Sequence, residues 1–212
     1  MSSNFGTSLP ENADFEYPVQ ELIAKRRSGR AFSSKPVDAV ALGSVLEAAR
    51  WAASCSNEQP WNFVVTKKVV TETEKDKPSA HERLVGCLVD FNIQWARHAP
   101  ILILSVARLN FAASGKPNRH ALYDVGQAAA NLALQATALG LMAHQMAGFD
   151  AEKARSEFLI PGGHEPASVI AVGYPGDPAS LPEKLREKEL ATRQRKPQHD
   201  FVFWDTWDQC LR

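Results

Sequence analysis

The chain has 212 residues, 44% hydrophobic and 23% charged, with 24 Lys and Arg against 24 Asp and Glu. Zero formal net charge argues against nucleic acid as a partner, because binding a phosphate backbone needs a surplus of cations. No run approaches the roughly 18 apolar residues of a membrane span, so no membrane partner is expected.

Three scattered cysteines, Cys55, Cys87 and Cys210, form no CxxC pair and are too few for a disulfide framework, which suits a reducing, cytoplasmic setting. The six histidines never fall at i, i+3 or i+4, so no metal site is expected. The opening stretch MSSNFGTSLPENADF lacks a basic region and an apolar core and does not read as a signal peptide. The length suits one domain over 1–212.

In chain order, residues 1–17 read as an irregular arm. Pro18 at a first-turn position predicts a short helix over 19–25. A second helix begins near Asp38, with Leu42, Val45, Leu46, Ala49, Ala52 and Ala53 on its apolar stripe, and stops at the polar cluster 54–57. A strand is predicted over 61–66, followed by a polar surface connection over 67–80.

Leu84, Leu88, Asn92 and Trp95 mark one further helix, and the continuous apolar run 101–107 is a buried strand. An Ala- and Leu-rich helix over 119–139, capped by Gly140, is apolar almost all round and is expected to be central. Asp150 caps a helix over 151–158, and residues 168–173 form a third buried strand. Beyond Gly173 the chain is rich in proline, and its tail over 198–212 carries Phe201, Phe203, Trp204 and Trp207, an apolar set that needs something to pack on. The fold class is α+β, a sheet flanked by long helices.

The chain holds no GxGxxG, no Walker P-loop and no GxSxG elbow. No acid/base pair stands out among the carboxylates, and no base is placed to activate Cys55. What does stand out is Arg26-Arg27-Ser28-Gly29-Arg30, three guanidiniums in five positions of a chain with no overall positive charge. Arginine donates paired, charge-assisted hydrogen bonds to phosphate, and Ser and Gly allow an anion close to the backbone. A solvated helix end complementing the helix dipole accounts for the same residues. Two more segments carry similar chemistry: Ser54-Cys55-Ser56-Asn57-Glu58-Gln59-Pro60-Trp61, which reads as a polyol-binding turn or a capping turn, and the basic Arg193-Gln194-Arg195-Lys196, which reads as a phosphate contact or a solvated loop.

Taken in order, these segments resemble the FMN-dependent nitroreductase family, whose members carry R-[RH]-S-x-[RK] at the end of the first helix and then an S-x-x-N-x-Q-P-W turn. The resemblance extends through Ala99-Pro100 before the apolar strand, Tyr123-Asp124-Val125-Gly126-Gln127-Ala128 opening the long helix, Gly148-Phe149-Asp150, and the closing R-x-R pair. It implies a mostly antiparallel central sheet and a homodimer with FMN at the subunit interface. Arg26, Arg193 and Arg195 would hold the FMN phosphate, with Arg27 and Ser28 beside them. Arg30 and Asn92 would face the pyrimidine edge of the flavin, and the backbone at Ala147 and Gly148 its N5.

Ser54, Cys55, Ser56, Asn57 and Gln59 would reach the cofactor from the partner subunit, on which the tail would also pack. The implied activity is NADH- or NADPH-dependent reduction of nitroaromatics, quinones or related acceptors by ping-pong hydride transfer, with the chemistry carried by FMN and no catalytic side chain. Enone reduction, dehalogenation, flavin fragmentation and non-catalytic flavin binding are the alternatives. Ala147, acidic in some members, and Cys55, often Ser, depart from the family pattern and bear on the substrate.

Overall fold

The computed structural model describes residues 15–68 and 77–208. Most of the arm over 1–17, the middle of the connection over 67–80, Cys210 and the end of the tail lie outside the described residues.

Four strands form one antiparallel sheet in the order β1-β2-β4-β3: β1 Trp61–Lys67, β2 Ile101–Arg108, β3 Met142–Met146 and β4 His164–Gly173. Side chains alternate across a strand, and β2 shows what this does. Leu102, Leu104 and Val106 join one core, while Ile101 and Ile103 join the other. The sheet is therefore buried on both faces.

The helices are α1 Glu21–Lys25, α2 Ala39–Arg50, α3 Ala80–Val85, α4 Asp90–Ala96, α5 Ala121–Ala138, α6 Ala151–Glu157 and α7 Glu183–Leu190. One layer is α2 and α5, whose Leu42, Val45, Ala49, Ala128, Ala129, Leu132 and Ala133 meet Ile103 and Ile170. The other is built from α3, α4, α6 and α7, with Leu84, Trp95, Ala154 and Leu185 beneath Leu104 and Val169.

Helix boundaries follow local chemistry. Asp150 accepts from Lys153 N at 2.9 Å and caps α6 as expected, and Asp38 accepts from Ala41 N at 2.8 Å and caps α2. Gly140, at φ +72°, ends α5 in the left-handed region that glycine enters without penalty.

Two expectations are corrected and two elements are added. The single helix around 84–95 is two, because the chain turns at Gly86 and bridges Leu88 to Phe149 before α4 begins. Two elements gave no usable signal: β3, whose MAHQM sequence is poor in strand formers, and α7, which sits within the proline-rich stretch. Finally, α5 is not surrounded. It buries a stripe against the sheet and α2, yet leaves Leu122 52% and Tyr123 69% exposed on its outer side.

Candidate functional site

The loop after α1 is held from the far end of the chain. Arg193 donates to Arg26 O at 2.7 Å and to Ala24 O, closing carbonyls that the C-terminus of α1 leaves open. Glu189, 5% exposed and buried on α7 together with Leu185, accepts from Arg30 N at 2.7 Å. Arg27 pairs with the same carboxylate at 3.3 Å and donates to the Glu189 backbone carbonyl. The intervening residue has to be Gly29, since a Cβ there would meet Met142 Sδ at 2.5 Å and Glu189 Oε1 at 2.8 Å.

The charges do not cancel. Among the described residues no carboxylate pairs with Arg26, Arg193 or Arg195. Burial, then the neighbouring Arg193 and Arg195, holds the Arg26 guanidinium below the usual arginine range. Arg193 is lowered by burial, then by Arg195 and Arg27. Guanidiniums that repel one another in a partly dry setting are poised for an anion. Ser28 Oγ, 3.3 Å from Arg26 Nη1, adds a hydroxyl to the cradle. Arg193 already donates from both terminal nitrogens, so Arg26 and Arg195 present the freer forks.

A few residues on, the surroundings change. Arg30 Nε is buried and lacks a hydrogen-bond partner. His144 on β3 donates from Nδ1 to Gly29 O at 3.0 Å and lies with its ring 4.4 Å from that of Trp95. Burial first, then the cations Arg30 and Arg26, push its pKa down to about 4, so the imidazole is neutral at pH 7. One turn before Trp95 on α4, Asn92 donates from Nδ2 to Gly148 O at 3.1 Å, and a Cβ at Gly148 would clash with Asn92 and Val89. The structure thus gathers Arg26, Arg27, Ser28, Arg30, Arg193 and Arg195 at one loop, and Asn92 with Gly148 and the exposed Ala147 beside the same edge strand.

The turn over 54–59 is elsewhere. It precedes β1, at the opposite edge of the sheet from β3. His144 aligns through Ala171 and Leu102 with Thr66, five residues along β1 from Trp61. Three strand spacings across and five residues along separate the two places by roughly 20 Å. Ser56, Asn57 and Gln59 all have φ between 50° and 54°, an arrangement that persists only when its surroundings impose it. Here they do. The buried Asp124 of α5 accepts from Cys55 N at 3.1 Å, Ser54 Oγ accepts from Gln59 N at 3.0 Å, and Glu58 pairs with Arg108 while accepting from Ala112 N at 2.7 Å.

Residues 23–174 match the family model described as the nitroreductase family. The chain belongs to the nitroreductase family. Among solved structures it is similar to an oxidoreductase containing FMN, at 32% identity and a TM-score of 0.84, covering 95% of this chain and 98% of that one. A putative NADH dehydrogenase/NAD(P)H nitroreductase of Stenotrophomonas maltophilia is 29% identical over 79% of this chain and 89% of its own length. Rat iodotyrosine deiodinase 1 is 30% identical over 80% of this chain but 66% of its own length.

Three residues of this nitroreductase-family chain escape the sequence reading: Glu189, His144 and Asp124. Asp124 left a trace, since a lone carboxylate in an Ala- and Leu-rich helix stripe must find a partner when buried. Glu189 and His144 left none, because their partners are 159 and 115 residues away. The residues present suit a phosphate-bearing cofactor: uncompensated cations at one end, and a buried donor with no partner at the other. No group of His, Cys, Asp or Glu able to hold a metal occurs among the described residues, nor any helix long and apolar enough to cross a membrane.

Proposed function

We propose that this chain is an FMN-dependent oxidoreductase that works as a cytoplasmic homodimer, taking hydride from NADH or NADPH and delivering it to nitroaromatics, quinones or related small acceptors in alternating half-reactions. The observation that carries this reading is the guanidinium cluster of Arg26, Arg193 and Arg195, without a counter-ion among the described residues and followed four positions after Arg26 by the buried, unpartnered Arg30 Nε. A phosphate satisfies the first feature, and the polar edge of a flavin the second. The likeness to an oxidoreductase containing FMN supports the same choice.

Bound FMN supplies the hydride chemistry at its N5. The chain's own residues bind and orient. Arg26 and Arg195 grip the phosphate with charge-assisted hydrogen bonds, while Arg27, Ser28 and Arg193 complete and brace the cradle. Arg30 sets a fixed cation at the pyrimidine edge, where negative charge accumulates on reduction, and so favours the electron-rich state. Asn92 fixes the Gly148 carbonyl, which orients the backbone at Ala147 and Gly148 toward the reacting side of the ring. No side chain has to act as acid or base. A second copy of the chain brings Ser54, Cys55, Ser56, Asn57 and Gln59 to the cofactor, because in one chain they lie across the sheet from the arginine loop.

NADH or NADPH as donor accords with the relative from Stenotrophomonas maltophilia, named for an NAD(P)H nitroreductase. Similarity to iodotyrosine deiodinase 1 favours one second reading, reductive dehalogenation on the same cofactor. Anaerobic stopped-flow mixing with NADH and with NADPH, followed by a panel of nitroaromatic, quinone and halotyrosine acceptors, separates the two. Bleaching of the flavin and its recovery with nitroaromatics or quinones is expected. Halide release alone selects dehalogenation, and flavin that neither nucleotide bleaches refutes the NAD(P)H-dependent activity.

A further inference from the structure

We infer that His144 is a positioning residue for Arg30: with Trp95 it clamps the 29–32 loop at two points, and so aims the guanidinium that serves the flavin edge. The inference rests on the FMN reading above. The first point is the hydrogen bond from His144 Nδ1 to Gly29 O, 3.0 Å long. The second is Phe32, whose ring lies 6.2 Å from that of Trp95 at an interplanar angle of 15°. The two clamps are one unit, since the His144 and Trp95 rings are themselves 4.4 Å apart. Arg30 falls between the clamped residues, and Glu189 holds its backbone N–H at 2.7 Å.

These contacts leave the Arg30 backbone little freedom, and the buried Nε finds no partner within the protein. A guanidinium held this way, with a donor unused, is pre-organised for a ligand. Trp95 is fully buried and His144 partly so, so the clamp works from behind the loop. An imidazole suits the post because its Nδ1–H reaches a backbone carbonyl while its ring packs, tilted by 33°, against an indole. Asparagine reproduces the donor, with Nδ2 close to the place of Nδ1; leucine reproduces neither donor nor ring.

The test is the flavin midpoint potential and the FMN Kd of holoenzyme carrying His144→Leu, His144→Asn, Arg30→Ala and the His144→Leu/Arg30→Ala pair. His144→Leu is expected to lower the potential in the same direction as Arg30→Ala and to raise the Kd about tenfold. His144→Asn is expected to restore most of both. In the Arg30→Ala background, His144→Leu is expected to lower the potential no further, because the group it aims has gone. If His144→Leu leaves the potential at the wild-type value, or lowers it equally with and without Arg30, the positioning role is overturned. If His144→Leu does not fold, the His144→Asn potential decides: a value at the Arg30→Ala level overturns the role, and one near wild type upholds it. A wild-type chain that binds no FMN overturns the cofactor reading instead.

Discussion

The arginines of the site differ in task because their surroundings differ, although they are chemically identical. Arg193 braces backbone carbonyls, Arg27 pairs with Glu189, and Arg26 and Arg195 have no carboxylate partner among the described residues. Arg195→Ala is therefore expected to weaken FMN binding by about 1.5–3 kcal/mol, the usual worth of a hydrogen bond to a charged group, as read from FMN titration. Arg30→Ala is expected to retain more FMN than Arg195→Ala while lowering the midpoint potential, measured by spectroelectrochemistry.

His144 makes stability depend on pH. Its folded-state pKa is near 4 against an ordinary 6.5, so between those values the unfolded chain binds a proton that the folded chain refuses. Its contribution is complete above pH 6.5 and is lost as pH falls toward 4. Urea unfolding is expected to show about 2 kcal/mol less from this group at pH 5 than at pH 7.5, and His144→Asn is expected to flatten that difference.

At the scale of elements, the site depends on α7. The helix buries Leu185 and, one turn on, Glu189, so the same packing that docks it delivers the carboxylate to the arginine loop. Glu189→Leu is expected to destabilise the fold by about 1–3 kcal/mol, because the backbone N–H of Arg30 loses its acceptor. It is also expected to weaken FMN binding, although it removes a negative charge from beside a phosphate site. Tighter FMN binding in this variant would mean that Glu189 acts on the anion by charge and does not order the loop. Elements with strong local signals were legible: α2 from its apolar stripe, α6 from its capping Asp150, β2 from its apolar run, α5 from its Ala- and Leu-rich run and Gly140. The break between α3 and α4 was not, because the Leu88–Phe149 bridge that enforces it is a tertiary contact.

On the proposed function, the whole molecule is completed by a second copy of the chain. The arginine loop and the 54–59 turn stand at opposite sheet edges, and the α2–α5 layer leaves Val40, Trp51, Leu122 and Tyr123 between 52% and 83% exposed. Apolar exposure of this kind marks a contact surface. Light scattering is expected to give a dimer, and Tyr123→Asp is expected to produce monomers that lose FMN on desalting. A monomer that keeps its FMN would count against a shared site. FMN at one hundred times its Kd is expected to stabilise the fold by about 2.7 kcal/mol, seen as a rise in Tm.

The sequence by itself determined the α+β class, most helices and strands, and the ordered motifs that imply FMN. These are properties of neighbours: period, caps, and cations crowded within a few positions. Only the tertiary structure decided which arginines lack a carboxylate partner among the described residues, that Glu189 accepts from the Arg30 backbone and that His144 donates to Gly29 O. It also decided that Ser54 to Gln59 stand across the sheet from the arginine loop. Those outcomes depend on which residues far apart in the chain end up in contact and how much water remains around them, and no local stretch of residues encodes either.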